Sequence, residues 1–263
     1  MSRITELNID EIKASDLLQG FDFENYNEGD HERWKILLDG VTKAQDGISC
    51  LSYSKGMQSL GENFSDLPDL SELNRKMESQ TGWRVMAVNG ILPCEDFYKL
   101  LSRKIFPSAT FVRDWHSTAF TGYPDLFHDV VGHLPLFFDP KFSDFVQKSS
   151  KLIHEILIST PDGAEKELMI QNFSRYGWFT WEAGLIKEDG IAKAYGGAIL
   201  SSSGETQNLK DRGYEKFELQ EVFNTTYTDK EFSSKYFIVD SYDDLFASLE
   251  VIRQKYNIDQ SIH

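Results

Sequence analysis

Tyr123-Pro-Asp-Leu-Phe-His-Asp-Val-Val-Gly-His-Leu-Pro135 places two histidines, His128 and His133, five residues apart, with Asp125 and Asp129 beside them. On an ideal helix, residues four apart share a face while residues five apart are rotated by roughly 140°. An unbroken helix would therefore aim the second imidazole away from the first. Gly132 before His133 and Pro135 after it read as a helix ending there, and a relaxed last turn would swing His133 back toward His128. Imidazole suits iron, zinc or copper, and two histidines leave a metal in need of at least one more protein ligand. Many His-x4-His pairs bind no metal. This one sits in an apolar segment (Leu126, Phe127, Val130, Val131) that also carries two acids. Burying such groups unpaired costs several kcal/mol, and a metal satisfies all of them together.

The composition narrows the setting. The chain has 263 residues, 40% of them apolar and 13% aromatic, enough for a large core or pocket built from rings. A formal charge of -15 argues against nucleic acid and anionic membrane surfaces, whose recognition needs clustered Lys and Arg. Cys50 and Cys94 are the two cysteines, so no disulfide framework is implied and a reducing compartment is expected. The first residues carry no apolar signal-like run and no stretch reaches membrane-spanning length, so the expected location is the cytoplasm.

Outward from the histidines, the pattern predicts a mostly helical fold with small β elements and no internal repeat or domain break. Residues 1–30 are acidic and weakly periodic and read as a loosely packed arm. Helical spacing runs from Glu32 to Leu51 with an interruption near Gly40. Residues 55–69, with Gly56, Gly61 and Pro68, read as loop. A short helix follows at about 70–80, then a strand from Trp83 that stops at Asn89-Gly90. Pro93 opens a helix with acids in its first turn. A second strand is expected at 109–113. After the histidines come helices at about 140–158 and 164–175, a hairpin around Asp189-Gly190, a loop at 201–205, a strand at 236–239 and a helix from Tyr242 to about Tyr256.

Glu182 stands in Gly177-Trp-Phe-Thr-Trp-Glu-Ala-Gly-Leu185, an aromatic and apolar run where a lone carboxylate is expensive. Two histidines and one carboxylate make the facial triad that leaves open positions on non-haem Fe(II). Arg175 and Lys187 are alternative partners for Glu182.

With Glu182 added, the sequence resembles the tetrahydrobiopterin-dependent aromatic amino acid hydroxylases, the short bacterial phenylalanine 4-hydroxylases above all. The matching text is Pro124-Asp125-x-x-His128-Asp129-x-x-Gly132-His133-x-Pro135, Trp178-Phe-Thr-x-Glu182-x-Gly184-Leu185, Lys193-Ala-Tyr-Gly196 and Ser201-Ser-x-Gly204-Glu205. A weaker stretch runs from Thr81 to Phe97, and together they cover roughly 80–240.

The resemblance implies a catalytic domain over 31–263 and Fe(II) held by His128, His133 and Glu182. It implies a tetrahydrobiopterin stacked on Phe97, contacted around Gly90, Leu92 and Cys94, with Asp129 near it. It also implies an aromatic amino acid whose carboxylate meets Arg113, oriented by Asp125, and whose ring packs on Trp178, with Thr121, Pro124 and Ser201 around it. Read without the resemblance, Phe97 and Trp178 are core residues and Arg113–Asp125 an ordinary salt bridge. The implied reaction is ring hydroxylation with O2, L-phenylalanine to L-tyrosine, by a monomer or weak dimer.

The match departs at Tyr123, where the family usually has an acid, and at Gly177, where an aromatic residue is expected. Trp181 and Ala183 replace Val and Phe beside Glu182. These departures leave open meta-hydroxylation, tryptophan 5-hydroxylation or a substituted phenylalanine. A zinc hydrolase is disfavoured because no Glu lies between the histidines as it does in His-Glu-x-x-His. A non-catalytic relative is disfavoured because the ligand set is complete.

Overall fold

The chain joins its core at Leu17, on the single turn α1 (Ala14–Leu17), which packs with Met86, Val88, Leu100 and Ile105. The computed structural model describes residues 12–19, 21–117, 119 and 121–258. Of the expected arm, 1–11 and 20 lie outside the described residues. Within it, the Tyr26 hydroxyl donates to the Thr110 carbonyl at 2.5 Å.

A capping box, in which Asn27 and Asp30 each accept the other's backbone N–H, starts α2 (Glu28–Ala44) earlier than the expected Glu32. Trp34, Leu37 and Val41 form its buried stripe. The expected interruption at Gly40 is not there. The stripe carries the helix past a glycine that costs about 1 kcal/mol against alanine. The predicted loop at 55–69 is also corrected, because α3 (Leu51–Leu60) runs straight through Gly56. A Cβ at Gly56 would lie 1.8 Å from the Pro135 carbonyl oxygen. That glycine marks two backbones in contact, not a bend.

Asp69 caps α4 (Leu70–Thr81), and Gly82 ends it in the left-handed region at φ 75°. β1 (Arg84–Ala87) pairs in parallel with β2 (Ile105–Ser108), with α5 (Cys94–Ser102) as the crossover. The second strand thus lies earlier than the predicted 109–113. The two ends of that segment send their backbone N–H groups to site side chains instead of a ladder: Ala109 to Asp129 at 2.7 Å, and Arg113 to Asp125 at 2.8 Å.

The histidine segment is followed by a 3-10 turn (Leu134–Phe138), so the helical path does not end at Gly132. A Cβ on Gly132 would lie 2.6 Å from the Gly197 carbonyl oxygen, so this glycine too marks a close approach. Asp139 then caps α6 (Pro140–Ser159), whose Pro140 sits at the first helical position. α7 (Ala164–Gly177) leads into the turn that carries Glu182.

β3 (Gly184–Glu188) and β4 (Ile191–Ala194) form the predicted hairpin, with Asp189 and Gly190 both at positive φ (50° and 80°). Then come α8 (Gly197–Leu200) and α9 (Ser203–Asp211), the latter starting inside the loop expected at 201–205. The Ser202 hydroxyl accepts the Glu205 N–H and starts α9. β5 (Glu215–Lys216), α10 (Leu219–Asn224), β6 (Phe237–Val239) and α11 (Tyr242–Lys255) complete the chain. The larger sheet has the order β4-β3-β6-β5, with β6 parallel to both neighbours.

The high aromatic share is spent in the core, where Phe142, Phe145, Tyr176, Trp181, Tyr195 and Tyr242 pack ring against ring. The fold is mostly helical with small sheets, as predicted. Among the described residues no helix is long and apolar enough to cross a membrane.

Candidate active site

Two π turns build the centre. His128–His133 and Trp178–Glu182 both have π-helical winding, in which the repeat closes over five residues instead of four. Residues five apart therefore face the same way. The Nε2 atoms of His128 and His133 come within 3.1 Å of each other. This is the relaxed turn that the spacing demanded. The second π turn, closed by the Ala183 N–H on the Trp178 carbonyl at 2.7 Å, delivers Glu182 to the same point. Glu182 Oε1 lies 3.2 Å from Nε2 of His133, and Oε2 lies 3.4 Å from Nε2 of His128. Neither alternative partner takes Glu182: Arg175 donates to the Phe223 carbonyl and Lys187 pairs with Asp240.

The donor set fits a metal ion. The three ligand atoms lie within 4.8 Å of one another, and Glu182 Oε2 is buried with no hydrogen-bond partner. Electron-rich atoms gathered this closely are satisfied by a shared cation. The tautomer agrees. The Ser201 hydroxyl donates to the Gly197 carbonyl at 2.8 Å, so its oxygen accepts from Nδ1 of His128, also at 2.8 Å. Nε2 of His128 is then bare and points at the cluster. Burial holds His128 down at about 4 despite the nearby Glu182 carboxylate, so its ring is neutral at neutral pH.

The cluster forms part of the wall of a cavity of about 680 Å3. Gly90, Leu92, Cys94, Phe97 and Asp129 line it beside the histidines. Burial raises the Asp129 carboxyl to about 7, although the Ala109 N–H opposes it. Burial likewise pushes the Cys94 thiol up to about 12. Arg113, Thr121, Pro124, Trp178 and Ser201 line the same cavity.

Asp125 is fully buried behind Arg113 and takes its Nε at 3.1 Å and Nη2 at 2.6 Å. That edge of the guanidinium is committed. Nη1, 3.4 Å from the Ser201 carbonyl, belongs to the other edge. All fourteen residues singled out from sequence therefore converge on one site, with Asp125 one layer out.

Sequence reasoning missed Tyr227, whose ring stacks on Trp178 at 4.7 Å and 13°. It sits in an irregular segment that no periodicity or motif marks. Glu205 was quoted in a motif but given no role. It lines the cavity and accepts from the Tyr236 hydroxyl and the Ser233 N–H. Of the departures, Tyr123 is exposed at the mouth, while Trp181 and Ala183 are buried.

Residues 15–262 match the family model of the biopterin-dependent aromatic amino acid hydroxylases. The chain belongs to this family. The phenylalanine-4-hydroxylase of Chromobacterium violaceum is 30% identical over 238 residues, covering 89% of this chain and 77% of that protein. The phenylalanine-4-hydroxylase of Pseudomonas aeruginosa is 33% identical over 226 residues, covering 85% and 83%. A crystal structure of the C. violaceum enzyme with bound iron(III) and 7,8-dihydrobiopterin superposes with a TM-score of 0.79 at 28% identity. That superposition covers 96% of this chain and 92% of the other. The hydroxylase described here is thus a biopterin-dependent enzyme acting on an aromatic amino acid.

Proposed function

We propose that this hydroxylase converts L-phenylalanine to L-tyrosine with O2, Fe(II) and a tetrahydropterin. The observation that carries the reading is the His128–His133–Glu182 cluster, with its orphaned carboxylate oxygen, in the wall of an aromatic-lined cavity. His128, His133 and Glu182 hold the iron. Gly90, Leu92, Cys94 and Phe97 form the pterin wall, with Asp129 facing it. Arg113 takes the substrate carboxylate on its Nη1 side while Asp125 fixes the guanidinium from behind. Thr121, Pro124, Trp178 and Ser201 enclose the amino acid.

Bound iron and reduced pterin supply the activation of O2. The protein's part is to place the ring, present the imidazoles of His128 and His133 to the metal and keep water from the reacting face. Trp178 cannot swing freely, because Tyr227 stacks on it and its indole N–H donates to Ser233 at 3.2 Å. The catalytic domain is taken as 31–263. A formal net charge of -15 and two unpaired cysteines, one buried and one half-buried, support a monomer or weak dimer in the cytoplasm.

The test is a product assay. Purified protein with Fe(II), a tetrahydropterin and O2 is given Phe, Tyr and Trp separately, and the products are resolved by ring position. Para-tyrosine from Phe is expected. Meta-tyrosine or 5-hydroxytryptophan as main product would overturn the specificity and keep the chemistry. His128→Ala and Glu182→Ala are expected to lose iron and turnover while staying folded. Full iron retention in either would sink the triad.

A further inference from the structure

We propose that Gly177 and Trp181 are a matched pair that sets the cavity wall beside Glu182, and with it the size of aromatic side chain the site admits. This rests on the amino acid hydroxylase reading and names a determinant of its specificity.

Gly177 closes α7, and Trp181 lies four residues on, in the π turn that ends at Glu182. The junction of helix and π turn brings the Trp181 indole over the backbone of Gly177. A Cβ on residue 177 would lie 3.0 Å from Cζ2 and 3.2 Å from Cε2 of the indole, inside ordinary contact. The indole has nowhere to retreat. It is 6% exposed, and the rings of Tyr98, Phe145 and Tyr176 stand 6.1, 6.4 and 6.3 Å away, centroid to centroid. One ring fits in this space, and it comes from position 181 because position 177 offers only a hydrogen.

Both residues line the cavity, so their contact is also its inner surface. A wall braced by three further rings is stiff, and interiors this densely packed do not yield to an extra group. An amino acid side chain that extends toward Glu182 therefore meets the indole edge. Removing the indole opens the wall toward Tyr98 and Phe145 without touching a ligand atom. Restoring a ring from position 177 closes it again.

The experiment compares the wild type with Gly177→Phe, Trp181→Val and the double variant; Gly177→Ala serves if Gly177→Phe does not fold. Thermal midpoints are measured first, without substrate. Gly177→Phe is expected to melt several degrees below the wild type, and the double variant above Gly177→Phe. Additive midpoints would show that the two positions do not compete and would overturn the pair.

The ratio of Trp to Phe is then read in two ways, as kcat/KM and as the rise in thermal midpoint that each amino acid gives. Trp181→Val is expected to raise the ratio about tenfold, and the double variant to return it toward the wild-type value. An unchanged ratio in Trp181→Val would overturn the specificity role. If no aromatic amino acid is turned over by any of the proteins, the functional reading fails, while the melting cycle and the binding ratio still decide the pair.

Discussion

Asp125 ties Arg113 to His128. Its carboxylate takes Nε and Nη2 of Arg113 at 3.1 and 2.6 Å, and the same Oδ1 that meets Nη2 accepts the His128 N–H at 2.9 Å. The proposed substrate clamp and a proposed iron ligand thus hang on one buried acid. The two ends separate on mutation. Arg113→Ala leaves Asp125 with the backbone N–H groups of residues 113 and 128, so the iron ligand stays anchored. It loses a charge-assisted contact with the substrate, about 1.5–3 kcal/mol, or roughly a 10–100-fold rise in KM. Iron content should hardly move. Either substitution breaks a buried ion pair and should cost about 3–5 kcal/mol of stability, but Asp125→Ala also strips the anchor of His128, so iron affinity suffers there along with KM. Steady-state kinetics with iron analysis of both variants distinguishes them. Equal iron loss in both would contradict the anchoring.

Ser201 has one hydroxyl hydrogen, and the Gly197 carbonyl receives it. What remains for His128 is a lone pair, which fixes the proton on Nδ1. Ser201→Ala lets the imidazole rotate and choose either tautomer. Loss of such an outer hydrogen bond costs about 10–100-fold in metal affinity. Competition titration against an iron chelator should show that drop with a melting temperature near that of the wild type. Unaltered affinity would mean that packing alone orients the ring.

Burial holds the Glu205 carboxyl above the ordinary glutamate range, against the pull of its Tyr236, Ser233 and Asn208 donors. A raised carboxyl keeps its proton in the folded chain at a pH where the unfolded chain has lost it. Its contribution favours the fold fully below the unfolded value of about 4.3 and is lost as pH rises through the folded value. Glu205→Gln has no such titration. The melting temperature of the variant minus that of the wild type should therefore climb as pH rises across that window. A flat difference would show that the hydrogen bonds fully compensate burial.

The chemistry of the site was more legible than its scaffold. His128, His133 and Glu182 stood out because ionisable side chains in apolar runs need partners, and that rule ignores fold. The long helices α6, α7 and α11 followed from apolar spacing. What escaped was decided by contacts distant in sequence. Residues 109–113 carry strand-like side chains, yet the N–H groups of Ala109 and Arg113 belong to Asp129 and Asp125, and the paired strand falls at Ile105–Ser108. α8 is a single turn, and the cap of α9, Ser202, reads equally as loop. Tyr227 lines the cavity and stacks on Trp178, a placement that no local pattern marks. Glycine misled twice in the same way, at Gly40, which breaks nothing, and at Gly56, which is no loop.

Those two glycines yield predictions of opposite sign. Nothing lies within 4 Å of a Cβ placed on Gly40. Gly40→Ala in the middle of α2 should therefore stabilise the protein by about 1 kcal/mol. At Gly56 the same methyl would stand 1.8 Å from the Pro135 carbonyl oxygen, and backbone cannot rotate away as a side chain can. Gly56→Ala should cost about 3 kcal/mol or more, a melting temperature lower by roughly 6–12 °C. Pro135 follows His133 by two residues, so pushing it also tilts the second imidazole, and iron affinity should fall along with stability. Calorimetry of both variants, with and without added Fe(II), reads each effect. A Gly56→Ala protein as stable as the wild type would mean that α3 does not bear on the histidine segment as the structure has it.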